Sequence, residues 1–317
     1  MQTIEGKKEV DSMNANHFIL AYDFGGTKVS LATTSMEGEL WNKTTLDSRQ
    51  FSSGSELLNA AIASGDVLTT HTKQKTRGNL CGIGISTMGI TFPDRVDMAP
   101  NVYGWNELHI EEAFKAQFAG VPIVIENDVK AAAIAEIKRG KLKGIDVGMY
   151  VNLGTGISVA LTLDDHVVRG SHSASGEIAY CLRSQSDSAG YEDGTAPFEE
   201  FAGGKGIEKR AIQEFGQSLS AHDLFVMAES RVDIAQFIEN TMSAIAFQLT
   251  NALILWDPSR IVVGGGMVGA KHIIFPYLTD HFRRFVPYPP EIHMARFQHE
   301  AGLFGAIELA RTVTTLD

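Results

Sequence analysis

Asp23-Phe24-Gly25-Gly26-Thr27-Lys28 lies between the apolar runs Phe18-Ile19-Leu20-Ala21-Tyr22 and Val29-Ser30-Leu31-Ala32. Two short runs of strand character meeting at paired glycines predict a tight hairpin. Glycine tolerates positive φ and lets bare N–H groups approach an anion, while Thr27 adds a hydroxyl and Lys28 a cation. Such a turn suits a nucleotide phosphate. Asp23, at the strand end, suits a magnesium ion held through water, because that ion takes one or two carboxylates and keeps much of its hydration shell. By itself the stretch reads first as an ordinary turn. It is neither a Walker loop nor a dinucleotide fingerprint, whose glycine spacings differ.

A second copy changes the reading. Val147-Gly148-Met149-Tyr150-Val151-Asn152-Leu153-Gly154-Thr155-Gly156-Ile157-Ser158-Val159-Ala160-Leu161 repeats the plan of strand, Asp or Asn, apolar residue, Gly/Thr turn and strand. Each copy then reaches a polar turn, Met36-Glu37-Gly38-Glu39 in the first and Leu163-Asp164-Asp165-His166 in the second. The duplication predicts two related domains, each presenting a glycine hairpin to a shared cleft.

The 317 residues suit two domains, and 44% hydrophobic with 21% charged residues is the composition of a soluble globular protein. A formal charge of -11 argues against nucleic acid or an anionic membrane as the main partner. Cys81 and Cys181 are too few for a disulfide framework and lie in no Cys-x-x-Cys pair, which points to a reducing cytoplasm. No apolar stretch reaches signal-peptide or membrane-spanning length, and the polar start is expected to be a loose tail.

Along the chain, Ser55–Ser64 has helical spacing, His71–Asn79 reads as an exposed connection, and Leu80–Ile85 as a buried strand. The loop Ser86–Gly89 follows at that strand's carboxyl end, where open α/β sheets collect ligands. A helix is expected from about Glu107 to Phe118, then a strand Pro122–Ile125 ending in Glu126-Asn127-Asp128, then an alanine-rich helix Val129–Arg139. An acid between strand and helix is commonly an N-cap. The alternative sets Asp128 against a substrate hydroxyl, with Asn127 orienting its neighbour. Glu177, after Gly176, suits a polyol, and otherwise is a solvated loop residue. Ser184–Gly194 reads as a mobile loop, and Phe198-Glu199-Glu200-Phe201 opens a helical region in which Glu199 either faces inward or belongs to a charged face. Asp233–Leu255 has the period of a mostly buried helix ending at Asp257-Pro258. Gly264-Gly265-Gly266 follows a strand from Arg260, and the chain closes with a helix Ile273–Phe285, a strand near Ile292–Phe297 and a helix Gly302–Val313.

Taken in order, these motifs resemble the ROK family of repressors and sugar kinases, from about Phe18 to the end of the chain. The resemblance implies an α/β fold of two ribonuclease H-like domains, the actin/hexokinase superfold, with a central cleft for ATP, magnesium and a hexose. It implies a tail over residues 1–17, a smaller domain over 18–126 joined by the C-terminal helix 302–317, and a larger domain over 127–301. Asp128 would receive the proton of the phosphorylated hydroxyl. Asn101, Asn127, Glu177, Tyr180 and Glu199 would contact the sugar. Asp23, Gly25, Gly26, Thr27 and Lys28 would hold the terminal phosphates and magnesium. Gly154, Thr155 and Gly156 would form a second phosphate clamp, with Gly265 and Gly266 near the adenosine. A homodimer is implied as well.

The departures are specific. Many members place Gly-His after Gly-Glu and supply three cysteines to a zinc site, whereas this chain reads Ala179-Tyr180 and has no cysteine between Ser184 and Pro197. No zinc is expected, since Cys181 alone cannot build a four-ligand site. About seventeen residues precede the first strand, too few for the helix-turn-helix domain of the family's repressors. The leading expectation is a kinase for the 6-hydroxyl of a hexose or an N-acyl-hexosamine. The alternatives are a non-catalytic sugar-binding relative and a chaperone-like ATPase.

Overall fold

The structure, a computed structural model, describes residues 17–92, 95–99 and 103–314. The tail expected over 1–17 therefore lies outside the described residues except for His17. The chain runs from β1 (Phe18–Phe24) through β2 (Lys28–Ser35) and β3 (Leu40–Asp47) to α1 (Gly54–Thr76) and β4 (Leu80–Thr87). The short pair β5 (Ile90–Thr91) and β6 (Val96–Asp97), α2 (Ile110–Gln117), β7 (Ile123–Asn127) and α3 (Asp128–Arg139) follow. Next come β8 (Val147–Leu153), β9 (Ile157–Leu163), β10 (His166–Val167), α4 (Pro197–Ala202), α5 (Gly204–Phe215) and α6 (Ala221–Met227). Last are α7 (Val232–Trp256), β11 (Arg260–Gly264), α8 (Lys271–Phe285), β12 (Glu291–Met294) and α9 (Ala301–Val313). These elements form two compact units, one of described residues up to Ala135 and from Glu300 on, the other Glu136–His299.

The two sheets share one topology. The first has the order β3-β2-β1-β4-β7 and the second β10-β9-β8-β11-β12. In each, the first three strands form an antiparallel meander and the last two add in parallel. The duplicated glycine hairpins are β1/β2 and β8/β9, at equivalent places in both sheets.

β1 is central because its apolar run covers both faces. Phe18, Leu20, Tyr22 and Phe24 pack with Leu57, Ala61, Trp105 and Phe114, whereas Ile19 and Ala21 pack with Leu303, Ala306, Ile307 and Ala310. A period of two thus sends alternate residues to helices on opposite sides. The terminal helix α9 lies very close to the sheet. A Cβ built on Gly84 would stand 1.8 Å from the Ala306 carbonyl oxygen, so glycine there is a packing requirement. In the second unit, Ile234, Phe237, Met242, Ile245, Leu249 and Leu253 of α7 pack beneath the sheet with Met149, Val151, Ile261 and Val263.

Several sequence expectations shift. The segment His71–Asn79 is not a connection, because α1 continues to Thr76. Thr72 turns inward, bonding Leu68 O at 2.7 Å and Thr33 Oγ1 at 2.9 Å, while its polar neighbours line the outer face. Gly65 does not stop the helix, since its bare Cα accommodates the Tyr22 hydroxyl. The region Ser184–Gly194 is two hydrogen-bonded turns, one gathered by the Asp187 carboxylate on the Arg183 amide and one closed on Gly190. Glu136, at the end of α3, is fully buried and accepts the amides of Lys141 (2.7 Å), Arg296 (2.6 Å) and Phe297 (3.3 Å).

Candidate functional site

In the first unit the parallel register sets Asp23 beside Ser86, Phe24 beside Thr87, and Thr87 beside Asn127, all at the carboxyl edge of β1, β4 and β7. That edge is where ligands gather in sheets of this kind. Asp23 accepts the Ser86 hydroxyl at 2.8 Å. Burial pushes its carboxyl above the ordinary carboxylate range, opposed by the Ser86 bond and by the charges of Lys28 and Lys43. Gly302 faces it so closely that a Cβ there would lie 2.2 Å from Asp23 Oδ1. A desolvated carboxylate of this kind gains from a cation.

The turn after Asp23 is closed by the Gly25 amide on Lys28 O at 3.0 Å. Ser48 braces it: its amide donates to Thr27 O (3.0 Å) and its hydroxyl to Gly25 O (3.2 Å). Two carbonyls that would repel an anion are thus engaged within the protein, while Gly26, Thr27 and Lys28 stand exposed. The second turn is held the same way from another element. The amides of Gly204 and Lys205, at the start of α5, donate to Gly154 O (2.9 Å) and Thr155 O (3.1 Å).

At the end of β7, Asn127 takes the cap of α3. Its Oδ1 accepts the amides of Val129 (3.0 Å) and Lys130 (3.1 Å), and its Nδ2 donates to Gly89 O (2.9 Å) and to Asp128 Oδ1 (3.2 Å). Asp128 sits one residue inside the helix, half-buried, with Oδ1 also 2.8 Å from the Val129 amide. The plain capping role therefore belongs to Asn127, which orients its acidic neighbour.

In the second unit Glu199 faces inward from α4. Its Oε2 accepts the Ile157 amide at 2.9 Å, and a Cβ on Gly156 would stand 2.2 Å from that oxygen. Burial raises its carboxyl above the usual range, partly offset by that bond and by Lys205. Glu177 follows Gly176, whose φ of 83° and tight approach to Val159 O (1.9 Å for a Cβ) exclude a side chain. Tyr180 ends the 3-10 turn Ile178–Tyr180 that starts after Glu177. Burial and the charges of Glu177 and Glu199 push its hydroxyl upward. These residues form one cluster in the second unit, joined through α4 to the turn Gly154–Gly156.

Past β11, Gly265 has φ 91°, and a Cβ there would meet Leu153 backbone at 2.4 Å, whereas Gly266 has open space around it. Both line a cavity of about 230 Å3 with Val263, Val268, Met294 and Lys271. Gln298 and His299 also border it, so apolar walls and a few polar groups together suit a nucleoside-sized ligand.

The candidate Asn101 lies outside the described residues. The expected loop Ser86–Gly89 begins later than its spacing suggests, since Ser86 and Thr87 belong to β4, while Ser48, Gly204 and Lys205 escaped the sequence reading because they act through backbone and hydroxyl bonds that leave no spacing pattern. The wall of the Gly265 cavity from Met294 to His299 escaped it because it is assembled across β12. Among the described residues no helix is long and apolar enough to cross a membrane.

Comparison with known proteins gives one answer over nearly the whole chain. The sequence model of the ROK family matches residues 19–313. A glucokinase of Halalkalibacterium halodurans is 24% identical over 314 residues, covering 92% of this chain and 94% of its own. A beta-glucoside kinase of Listeria innocua is 24% identical over 297 residues, covering 91% and 96%. Among solved structures, a ROK family glucokinase from Streptomyces griseus in complex with glucose and AMPPNP aligns with a TM-score of 0.74 at 21% identity, covering 93% of this chain and 99% of that one. A ROK family transcriptional regulator, a homolog of the E. coli MLC protein, aligns with a TM-score of 0.82 at 18% identity, covering 95% and 79%. At such identities the structural likeness carries the fold, which is that of the actin/hexokinase group.

Proposed function

Because this chain belongs to the ROK family, we propose that it is a sugar kinase that moves the γ-phosphoryl group of ATP to the 6-hydroxyl of a hexose or N-acyl-hexosamine. The observation that carries the reading is the corner at the start of α3. Asn127 fills the helix cap and donates its side-chain amide to Asp128 Oδ1, so the acid at 128 is held in one orientation at the carboxyl edge of β7 rather than serving as the cap itself. In the reaction the sugar oxygen attacks the γ-phosphorus, the bond to the β–γ bridging oxygen breaks, ADP departs and Asp128 takes the hydroxyl proton. The transition state of phosphoryl transfer is loose, so positioning and charge balance dominate and a strong base is not required.

Asp23 fits magnesium, being a desolvated carboxylate beside the first glycine turn. The ion would neutralise charge on the phosphates there. Gly25, Gly26, Thr27 and Lys28 serve the terminal phosphates, and Gly154, Thr155 and Gly156 form the second clamp. Gly265 and Gly266 take the adenosine in the cavity they line. Asn101, Asn127, Glu177, Tyr180 and Glu199 bind sugar hydroxyls. The two thiols, raised by burial, suit a structural role in a reducing cytoplasm, and the reading includes a homodimer without zinc.

Likeness to a transcriptional regulator and Tyr180 favour a second reading, a sugar-binding relative without turnover. Coupled ADP release over a panel of hexoses and N-acyl-hexosamines separates them. Sugar-dependent release supports the kinase, binding without release the second reading, and sugar-independent release neither.

A further inference from the structure

Two tyrosines stand near the carboxylates of the second unit, Tyr180 half-buried and Tyr191 exposed, and the hydrophobic core accounts for neither. Their rings lie 5.8 Å apart at 75°, edge to face. Tyr180 is tied to Glu177, its amide donating to the Glu177 carbonyl at 3.3 Å. Tyr191 rides on a closed turn. The Asp193 and Thr195 amides and the Thr195 hydroxyl donate to Gly190 O, the Asp193 carboxylate accepts the Gly190 amide, and the Gly194 amide closes on Tyr191 O. Gly194 has a φ of 71°, which seals the turn. Pro197 then opens the helix that carries Glu199. Short connections therefore tie the aromatic pair to both carboxylates. The turn holds a side chain that is 65% exposed, with its ring face open and its hydroxyl able to donate or accept.

We propose that Tyr180 and Tyr191 form an aromatic wall that selects an aryl glucoside over the unsubstituted sugar, the glycosidic ring packing against Tyr191 while Glu177 and Glu199 hold hydroxyls. This rests on the sugar-kinase reading and adds a specificity determinant to it. Aromatic pairs favour offset and edge-to-face contacts. Tyr191, already edge to face with Tyr180, can offer its open side to a third ring. The neutral Tyr180 hydroxyl, raised by burial beside two carboxylates, adds a donor without a charge to desolvate.

The test uses the full chain with phenyl and methyl glucosides in both anomeric forms, following binding by calorimetry and phosphorylation by coupled ADP release. The phenyl compound of one anomer should be favoured by about threefold to tenfold, the size of one aromatic contact, in Kd and KM rather than in kcat. Tyr191→Ala should bring the phenyl-to-methyl ratio to about one, and Tyr191→Phe should keep it. A purely structural role would weaken both glucosides together and leave the ratio unchanged. That result, or no phenyl preference in the unmodified protein, overturns the proposal. Phenyl-selective binding without phosphorylation of any sugar would refute the kinase reading and leave this one standing. Phosphorylation of free hexose with no binding of either glucoside would do the reverse, and no sugar binding at all would sink both.

Discussion

Replacing Gly156 by alanine probes whether the second glycine turn and Glu199 act as one unit. Gly156 does not have positive φ, so alanine fits the backbone and the effect is steric. The new Cβ would stand 2.2 Å from Glu199 Oε2 and 3.0 Å from its carboxyl carbon, so the carboxylate must leave. It then loses the 2.9 Å bond from the Ile157 amide. Hydrogen bonds to charged groups contribute about 1.5–3 kcal/mol. Partial hydration of a half-buried Glu199 lowers this to about 1–2 kcal/mol. The restricted unfolded chain of an alanine variant returns about 0.4–1 kcal/mol. The net loss of stability is therefore about 1 kcal/mol, or a fall in Tm of about 2–4 °C for a unit of this size. The effect on sugar binding should be larger in proportion, since the proposed function has Glu199 meet a sugar hydroxyl from the place it would have to leave. KM for the sugar should rise about tenfold, equivalent to about 1.4 kcal/mol, with a smaller change in kcat. Thermal melts and steady-state kinetics over a range of sugar concentrations read both quantities. An unchanged KM would refute the coupling, as would a large loss of Tm with sugar affinity intact.

Glu199→Gln tests the electrostatic side of the same residue. Burial raises its folded carboxyl above 4.5, so the folded state holds the proton more tightly than the unfolded one. Unmodified protein should lose stability as pH rises from about 4.5 through the folded value, with the loss complete above it. Glutamine does not titrate, so its Tm relative to the unmodified protein should climb across that window and then level off; a difference independent of pH contradicts this. Glu136→Ala leaves the Lys141 and Arg296 amides without their carboxylate and should cost about 3 kcal/mol in urea unfolding, because buried unsatisfied groups cost about 1–3 kcal/mol each. Gly84→Ala places a Cβ 1.8 Å from the Ala306 carbonyl oxygen and should cost about 1–3 kcal/mol or more by overpacking. A cost near zero would mean that α9 shifts freely on the sheet.

Much of this architecture is legible in sequence because it follows from short-range rules. The glycine hairpins announce themselves by strand runs on either side, and their duplication anticipates two sheets of the same order. Asp233–Leu255 shows its helix by period, and the structure extends it by one residue at each end. What stays hidden depends on partners distant in the chain. The polar stretch His71–Thr76 reads as loop because nothing local reveals that Thr72 will meet Thr33. The capping role of Asn127 is invisible beside Asp128, since both residues cap helices well and only coordinates distinguish them. Local sequence allows Glu199 to face inward or to join a charged helix face, and its bond to the Ile157 amide, far away in sequence, decides between them. The brace from Ser48 to the first turn likewise requires β2 and β3 to be paired before it has meaning.

The most direct measurement compares ADP release by the unmodified chain and by Asp128→Asn, with and without hexose, alongside calorimetric sugar binding. The account predicts release that requires the sugar and falls by about 10²–10⁴-fold in the variant, the usual contribution of a positioned acid or base, while sugar still binds. Comparable turnover in the two proteins, or release indifferent to sugar, would contradict it.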